Sequence, residues 1–156
     1  MKNYFLPLLI LIFFTGCDKS VVFEKSEDLD KNGWSDTKVL NFDFSITNSN
    51  ERYKFLYNVR YTNDFQNYNL YVKHSLLDSN GRQINALLQG MDLFKPTSGE
   101  PYGKGLGGTY DYLILSKKDL KFPYNGRYSI QVRQYMRQPL LKGIEAFGIR
   151  IEHDIQ

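Results

Sequence analysis

Residues 102–108 bring a tyrosine, a lysine and four glycines together as Tyr102-Gly103-Lys104-Gly105-Leu106-Gly107-Gly108. Glycine and lysine in one run are the ingredients of a phosphate-binding loop. That loop requires Gly-x-x-x-x-Gly-Lys followed by Ser or Thr, set between a strand and a helix. Here Gly105 follows Lys104, and the next periodic segment reads as a strand. The run is therefore expected as a glycine-rich turn with several positive-φ positions. Residues 95–108 as a whole lack periodicity and are expected as a loop, either a spacer or a contact surface. Tyr102 and Lys104 are its candidate partner-contact residues, because tyrosine and a basic side chain on an exposed loop suit a protein contact.

The other chemically active side chains are scattered. His74 and His153 are the two histidines and lie far apart in sequence. A zinc site needs about four ligands, and none can be assembled around them, so no metal site is expected. His74 falls among apolar strand positions and reads as a core or boundary residue. No Gly-x-Ser-x-Gly elbow is present, and no nucleophile has a plausible histidine partner nearby. Glu24, Glu27, Asp28 and Asp30 read as solvation of a polar segment, and Asp111, between Tyr110 and Tyr112, as a strand-face residue. No catalytic residue and no cofactor is expected. Tyr57, Tyr61, Tyr68 and Tyr71 remain: an outward platform for sugar rings, a protein interface, or core.

Cys17 is the sole cysteine, so no internal disulfide is possible. It follows Lys2, an apolar run of eleven residues from Tyr4 to Phe14, and then Thr15-Gly16. A bilayer span needs about 20 residues; the shorter run suits a secretory signal. Phe14-Thr15-Gly16-Cys17 resembles a lipobox, a hydrophobic residue and two small ones before an invariant cysteine. That chemistry needs a thiol, which carries the diacylglyceryl group as a thioether, and a small residue to enter the protease pocket. Residues 1–16 are expected as a signal peptide, with Cys17 lipidated. Two or three acyl chains give stable anchoring where one is marginal.

These residues must be positioned by strands. Aromatic residues make up 15% of the chain, which favours pleated surfaces. Residues 39–46 and 53–61 alternate apolar and polar with the period of half-buried strands. Residues 68–77 form a third strand, ended by the turn Asp78-Ser79-Asn80-Gly81. Residues 83–94 are expected as one strand with a bulge at Gly90. Residues 109–115 and 128–136 are further strands, with a chain turn at 117–121. Phe147, Ile149 and Ile151 form the inner face of the last. No amphipathic helix is visible. Seven or eight strands with frequent turns give an all-β, antiparallel β-sandwich, either jelly-roll-like or immunoglobulin-like. Its expected extent is residues 34–156, with 17–33 as a lipidated tether and Val21-Val22-Phe23 within it as a weak edge-strand signal. Without residues 1–16, which carry only Lys2, the chain has 19 Lys and Arg against 17 Asp and Glu, a net +2. With no basic run, nucleic acid is not an expected partner.

Several segments, in order, resemble the gliding-motility lipoprotein GldH family of the Bacteroidota. They are Tyr61-Thr-Asn-Asp-Phe-Gln-Asn-Tyr-Asn-Leu-Tyr71, Tyr102-Gly-Lys-Gly-Leu-Gly-Gly-Thr-Tyr-Asp111, Phe122-Pro-Tyr-Asn-Gly-Arg-Tyr128, Gln134-Tyr-Met-Arg137 and Gly143-Ile-Glu-Ala-Phe-Gly-Ile-Arg-Ile-Glu152. The resemblance implies a non-enzymatic, lipid-anchored protein of the cell envelope, at the outer membrane facing the periplasm. It also implies partners among other gliding-motility and type 9 secretion lipoproteins. The alternative left by the tyrosines alone is a glycan-binding envelope lipoprotein.

Overall fold

The computed structural model describes residues 20–154, and Cys17 lies outside them. The strands are β1 (Val21–Asp28), β2 (Trp34–Ser35), β3 (Leu40–Ile46), β4 (Tyr53–Thr62), β5 (Asn69–Asp78), β6 (Gln83–Asp92), β7 (Lys104–Leu106), β8 (Thr109–Leu120), β9 (Gly126–Gln134), β10 (Leu140–Leu141) and β11 (Ile144–His153). Among the described residues there is no helix.

One sheet runs β1-β11-β4-β8-β7 and the other β3-β9-β5-β6, with β10-β2 as a small ribbon. Every pairing is antiparallel. Setting aside the short β2, β7 and β10, the first long strand pairs with the last, β1 with β11. The second pairs with the seventh, β3 with β9, and the third with the sixth, β4 with β8. The fourth and fifth, β5 and β6, form the closing hairpin. A long hairpin paired in this way and rolled up, so that β11 meets β4 and β9 meets β5, is a jelly roll. The β-sandwich expected from the alternation is present, and its strand order excludes the immunoglobulin-like alternative.

Alternation sets which side chains enter the core. In β3, Leu40, Phe42, Phe44 and Ile46 are buried while the residues between them are exposed. In β4, Tyr53, Phe55, Tyr57, Val59 and Tyr61 all point inward. Phe147, Ile149 and Ile151 of β11 are fully buried, as their spacing requires. Phe44 sits where four rings meet, with centroids 5.6 Å from Phe23, 5.8 Å from Phe122 and 5.9 Å from Tyr128. Trp34 closes the opposite end of the core, packed on Phe147 at 5.2 Å with its indole N–H donating to the Lys38 carbonyl at 3.1 Å.

Four local expectations differ from the structure. The sheet begins at Val21, not Trp34: residues 21–28, expected as tether, are a full edge strand on β11. Burying little on either face, β1 has no clean alternation to announce it. Residues 117–120 belong to β8, which is bulged against Phe55 and carries Asp119 at φ 55°, so the lysines there mark an irregular strand end rather than a turn. There is no bulge at Gly90. The β5–β6 register runs unbroken past it and shifts instead at Ile84. Gly90 makes room for a cross-strand ring, since a Cβ there would lie 2.7 Å from Tyr71 Cε1. Finally, residues 95–108 contain the short strand β7.

Phe44 tests the assigned core. Truncating a buried phenylalanine costs about 3–5 kcal/mol through lost burial and a residual cavity. Phe44→Ala in residues 18–156 is expected to lose that much in urea unfolding, with an unchanged strand spectrum. A neutral substitution would show that β3 presents its other face to the core.

Candidate functional site

The jelly roll has two ends. One gathers loops 47–52, 79–82 and 121–125, and the other loops 62–69, 93–108 and 135–139. Tyr102 and Lys104 lie at the second end, in a segment that is built rather than slack. Phe94 bridges to Pro101, the Lys95 amide donates to the Glu100 carbonyl at 2.8 Å, and the Lys95 ammonium meets the Glu100 carboxylate at 2.7 Å. Each of these charges stabilises the other, so the lysine pKa is raised and the glutamate pKa lowered. A second hairpin follows, pairing β7 with Thr109–Asp111. Its two-residue turn, Gly107-Gly108, has φ of 66° and 85°, the double left-handed conformation of a tight hairpin. Gly105 cannot be replaced in this geometry, because a Cβ would lie 1.9 Å from the Thr109 carbonyl oxygen.

Tyr61 holds this assembly to the sheet. Its ring is fully buried, and its hydroxyl donates to the Leu93 carbonyl at 2.7 Å while accepting the Gly103 amide at 2.9 Å. Burial raises its pKa, so it remains a neutral phenol. The Tyr102 amide also reaches the Leu93 carbonyl, at 2.9 Å. Tyr102 itself is 43% exposed and stacks on Tyr112 at 6.1 Å and 14°. Lys104 is exposed and stands opposite Asp111, whose carboxylate takes Arg60 Nε at 2.9 Å and Nη2 at 3.2 Å. Leu106 at the tip is 92% exposed. The sequence reading missed Tyr61 as an anchor and Leu106 as a projecting group. The signal for Leu106 was the Gly-Gly that follows it, which makes it the last side chain before a tight turn.

The four-tyrosine platform does not form. Tyr57 and Tyr61 face the core, because β4 buries that side, whereas Tyr68 and Tyr71 are exposed. His74 is buried on β5, as expected, and shares a hydrogen bond with the Tyr57 hydroxyl across the two sheets. Ser116 and Gln89 continue this polar strip at 3.3 Å. The strip borders a cavity of about 90 Å³ walled by Phe55, Leu76, Leu87, Phe122 and Ile130. Burial, reinforced by the Lys117 charge, lowers the His74 pKa to about 4. His153 is elsewhere, its Nδ1 2.5 Å from a Glu51 carboxylate oxygen. Among the described residues, no three metal-binding side chains converge.

The family model of the GldH lipoprotein matches residues 21–151. The chain belongs to the GldH lipoprotein family. It is 29% identical over 157 residues to the gliding motility lipoprotein GldH homolog of Christiangramia forsetii, across 96% of this chain and 94% of that one. It is 26% identical over 160 residues to the gliding motility lipoprotein GldH of Flavobacterium johnsoniae, across 97% of both. Among solved structures, the infectious bursal disease virus VP2 subviral particle is similar at a TM-score of 0.37 and 9% identity. That match covers 94% of this chain but 38% of the viral one. Membership of a lipoprotein family places the chain in the cell envelope on a lipid anchor. In this GldH-family chain the segments from Tyr61, Tyr102 and Gln134 meet at the hairpin end. The Asn63 amide donates to the Gly108 carbonyl at 3.2 Å, and the Tyr135 amide to the Tyr71 carbonyl at 2.8 Å.

His74 makes stability pH-dependent. It is neutral in the fold with a pKa near 4, against about 6.5 unfolded. The unfolded chain therefore binds the proton first. The stability is fully present above pH 6.5 and is lost as pH falls toward 4, by up to about 3 kcal/mol. His74→Gln, which keeps an acceptor for Tyr57, is expected to flatten urea-unfolding stability between pH 7 and pH 4. An equally steep dependence in the variant would place the titration elsewhere.

Proposed function

We propose that this chain is a structural component of a gliding-motility machinery, working by protein contact rather than catalysis. In this reading Cys17 is acylated and holds the chain to the outer membrane on its periplasmic side, where it contacts other motility lipoproteins. The end-to-end similarity to two proteins named for gliding motility is the observation that carries the reading. The hairpin end supports contact as the mode of action. It offers an exposed leucine, a half-exposed tyrosine and an exposed lysine on a backbone already fixed by Tyr61 and by tight glycine turns. Such preorganisation lowers the ordering cost of binding, and aromatic anchors on rigid loops often dominate interfaces.

The experiment is a chromosomal double substitution, Tyr102→Ala with Lys104→Ala. Each position is exposed enough that stability should change by no more than about 0.5 kcal/mol. The variant is expected to accumulate normally in the membrane fraction while colonies fail to spread. Normal spreading by a stably anchored double variant would remove this hairpin from the contact surface.

A further inference from the structure

The two ends of the jelly roll differ in what they offer to a membrane. The first described residue, Ser20, is fixed to the sheet, because its carbonyl accepts the His153 amide at 2.8 Å. His153 pairs with Tyr53, and Tyr53 with Leu120. Ser20 therefore sits at the end carrying loops 47–52, 79–82 and 121–125, opposite the Tyr102–Leu106 hairpin. Only Asp18 and Lys19 separate Cys17 from Ser20. At about 3.3–3.6 Å per fully extended residue, that connection reaches no more than about 11 Å. A lipidated Cys17 thus leaves this end no room to stand far from the bilayer. The twelve residues of β8 span about 35 Å, and they separate the two ends.

The same end is cationic. Most of its acidic groups are already engaged: Asp119 by Arg52 at 3.1 Å, Asp154 by Lys54 at 3.3 Å, Asp78 by Arg82 at 3.2 Å, and Glu51 by His153, while Asp43 shares a groove with Arg127. Glu152, beside Val21 in the register, is held by Arg150 at 2.6 Å. Lys117, Lys118, Lys121 and Arg127 are exposed and make no ion pair among the described residues. Lys118 is close enough to help lower the Asp154 pKa, after the Asp119 amide and Lys54. In the connection itself Asp18 and Lys19 balance, so the positive excess lies on the domain. Basic groups within a Debye length of an anionic leaflet are attracted to it.

We propose that this end is the membrane-docking face. Lys117, Lys118, Lys121 and Arg127 rest on anionic lipid headgroups of the bilayer that holds the acyl chains of Cys17. The rolled hairpin then holds Tyr102, Lys104 and Leu106 at the membrane-distal end, facing partners. The proposal rests on the reading that Cys17 is acylated.

Full-length lipidated protein carrying one added thiol, Ser79→Cys at the basic end or Leu106→Cys at the hairpin, tests the orientation. The thioether consumes the Cys17 thiol, so a fluorophore reports the added site alone. The probe is a vesicle of phosphatidylethanolamine and phosphatidylglycerol containing a lipid with a nitroxide headgroup. Quenching is expected to be several-fold stronger at residue 79 than at residue 106. In the unlipidated Cys17→Ser chain, Lys117→Gln, Lys118→Gln and Lys121→Gln together should weaken binding to phosphatidylglycerol vesicles, by about fivefold per lysine at low salt. Equal quenching at both sites, or stronger quenching at 106, overturns the orientation. Vesicle binding unchanged by the three substitutions overturns the headgroup contact. Intact mass separates these results from failure of the anchoring reading, because a purified chain without acyl mass on Cys17 overturns that reading first.

Discussion

A buried tyrosine must find a partner for its hydroxyl, and β4 buries three of them at four-residue intervals, Tyr53, Tyr57 and Tyr61. Each meets the demand by bonding to a different part of the molecule. Tyr53 donates to the Asn48 carbonyl at 2.6 Å and pins the loop leading into β4. Tyr57 reaches across the core to His74 on the other sheet. Tyr61 ties the Leu93 carbonyl to the Gly103 amide. One strand, lying between β11 and β8 in its sheet, thereby fixes the basic end, the stacking of the sheets and the hairpin end. Aromatic rings supply the apolar burial, and the hydroxyls supply the positional information.

The rolled topology turns these local bonds into a long-range arrangement. Pairing first strand with last brings β1 beside β11, and pairing the middle strands sends the glycine-rich segment to the far side. The connection from Cys17 is short because β1 begins almost at once. Had residues 17–33 been a free tether, the domain would tumble at a distance from its anchor. As a strand, residues 21–28 carry the fold to within a few residues of Cys17.

Much of this was legible in the residues, and what was not has physical causes. Period-2 burial identified β3, β4 and β9, where one side meets the core and the other is more open to water, and the inner face of β11 through Phe147, Ile149 and Ile151. The same rule failed on β1, whose residues are half-buried or exposed on both sides. It failed again at Lys117 to Leu120, where a bulge and a positive φ at Asp119 interrupt the alternation while the strand continues. The jelly-roll order was invisible because alternation fixes which face a residue takes and not which strand lies beside it. Tyr102 and Lys104 were visible as unusual side chains among glycines. Tyr61 was not distinguishable from Tyr53 or Tyr57, since all three occupy equivalent positions in one alternating run. Its role depends on where the Leu93 carbonyl and the Gly103 amide come to rest, and that is set by tertiary structure.

A single buried hydroxyl on β4 sets the shape of the hairpin end. Amide hydrogen exchange in Tyr61→Phe tests it directly, since the ring stays and only the hydroxyl is removed. The Gly103 amide is expected to exchange about tenfold faster, matching the loss of roughly one hydrogen bond, while the amides of β3 and β9 keep their protection. Unchanged protection at Gly103 in a fully folded Tyr61→Phe chain would contradict it.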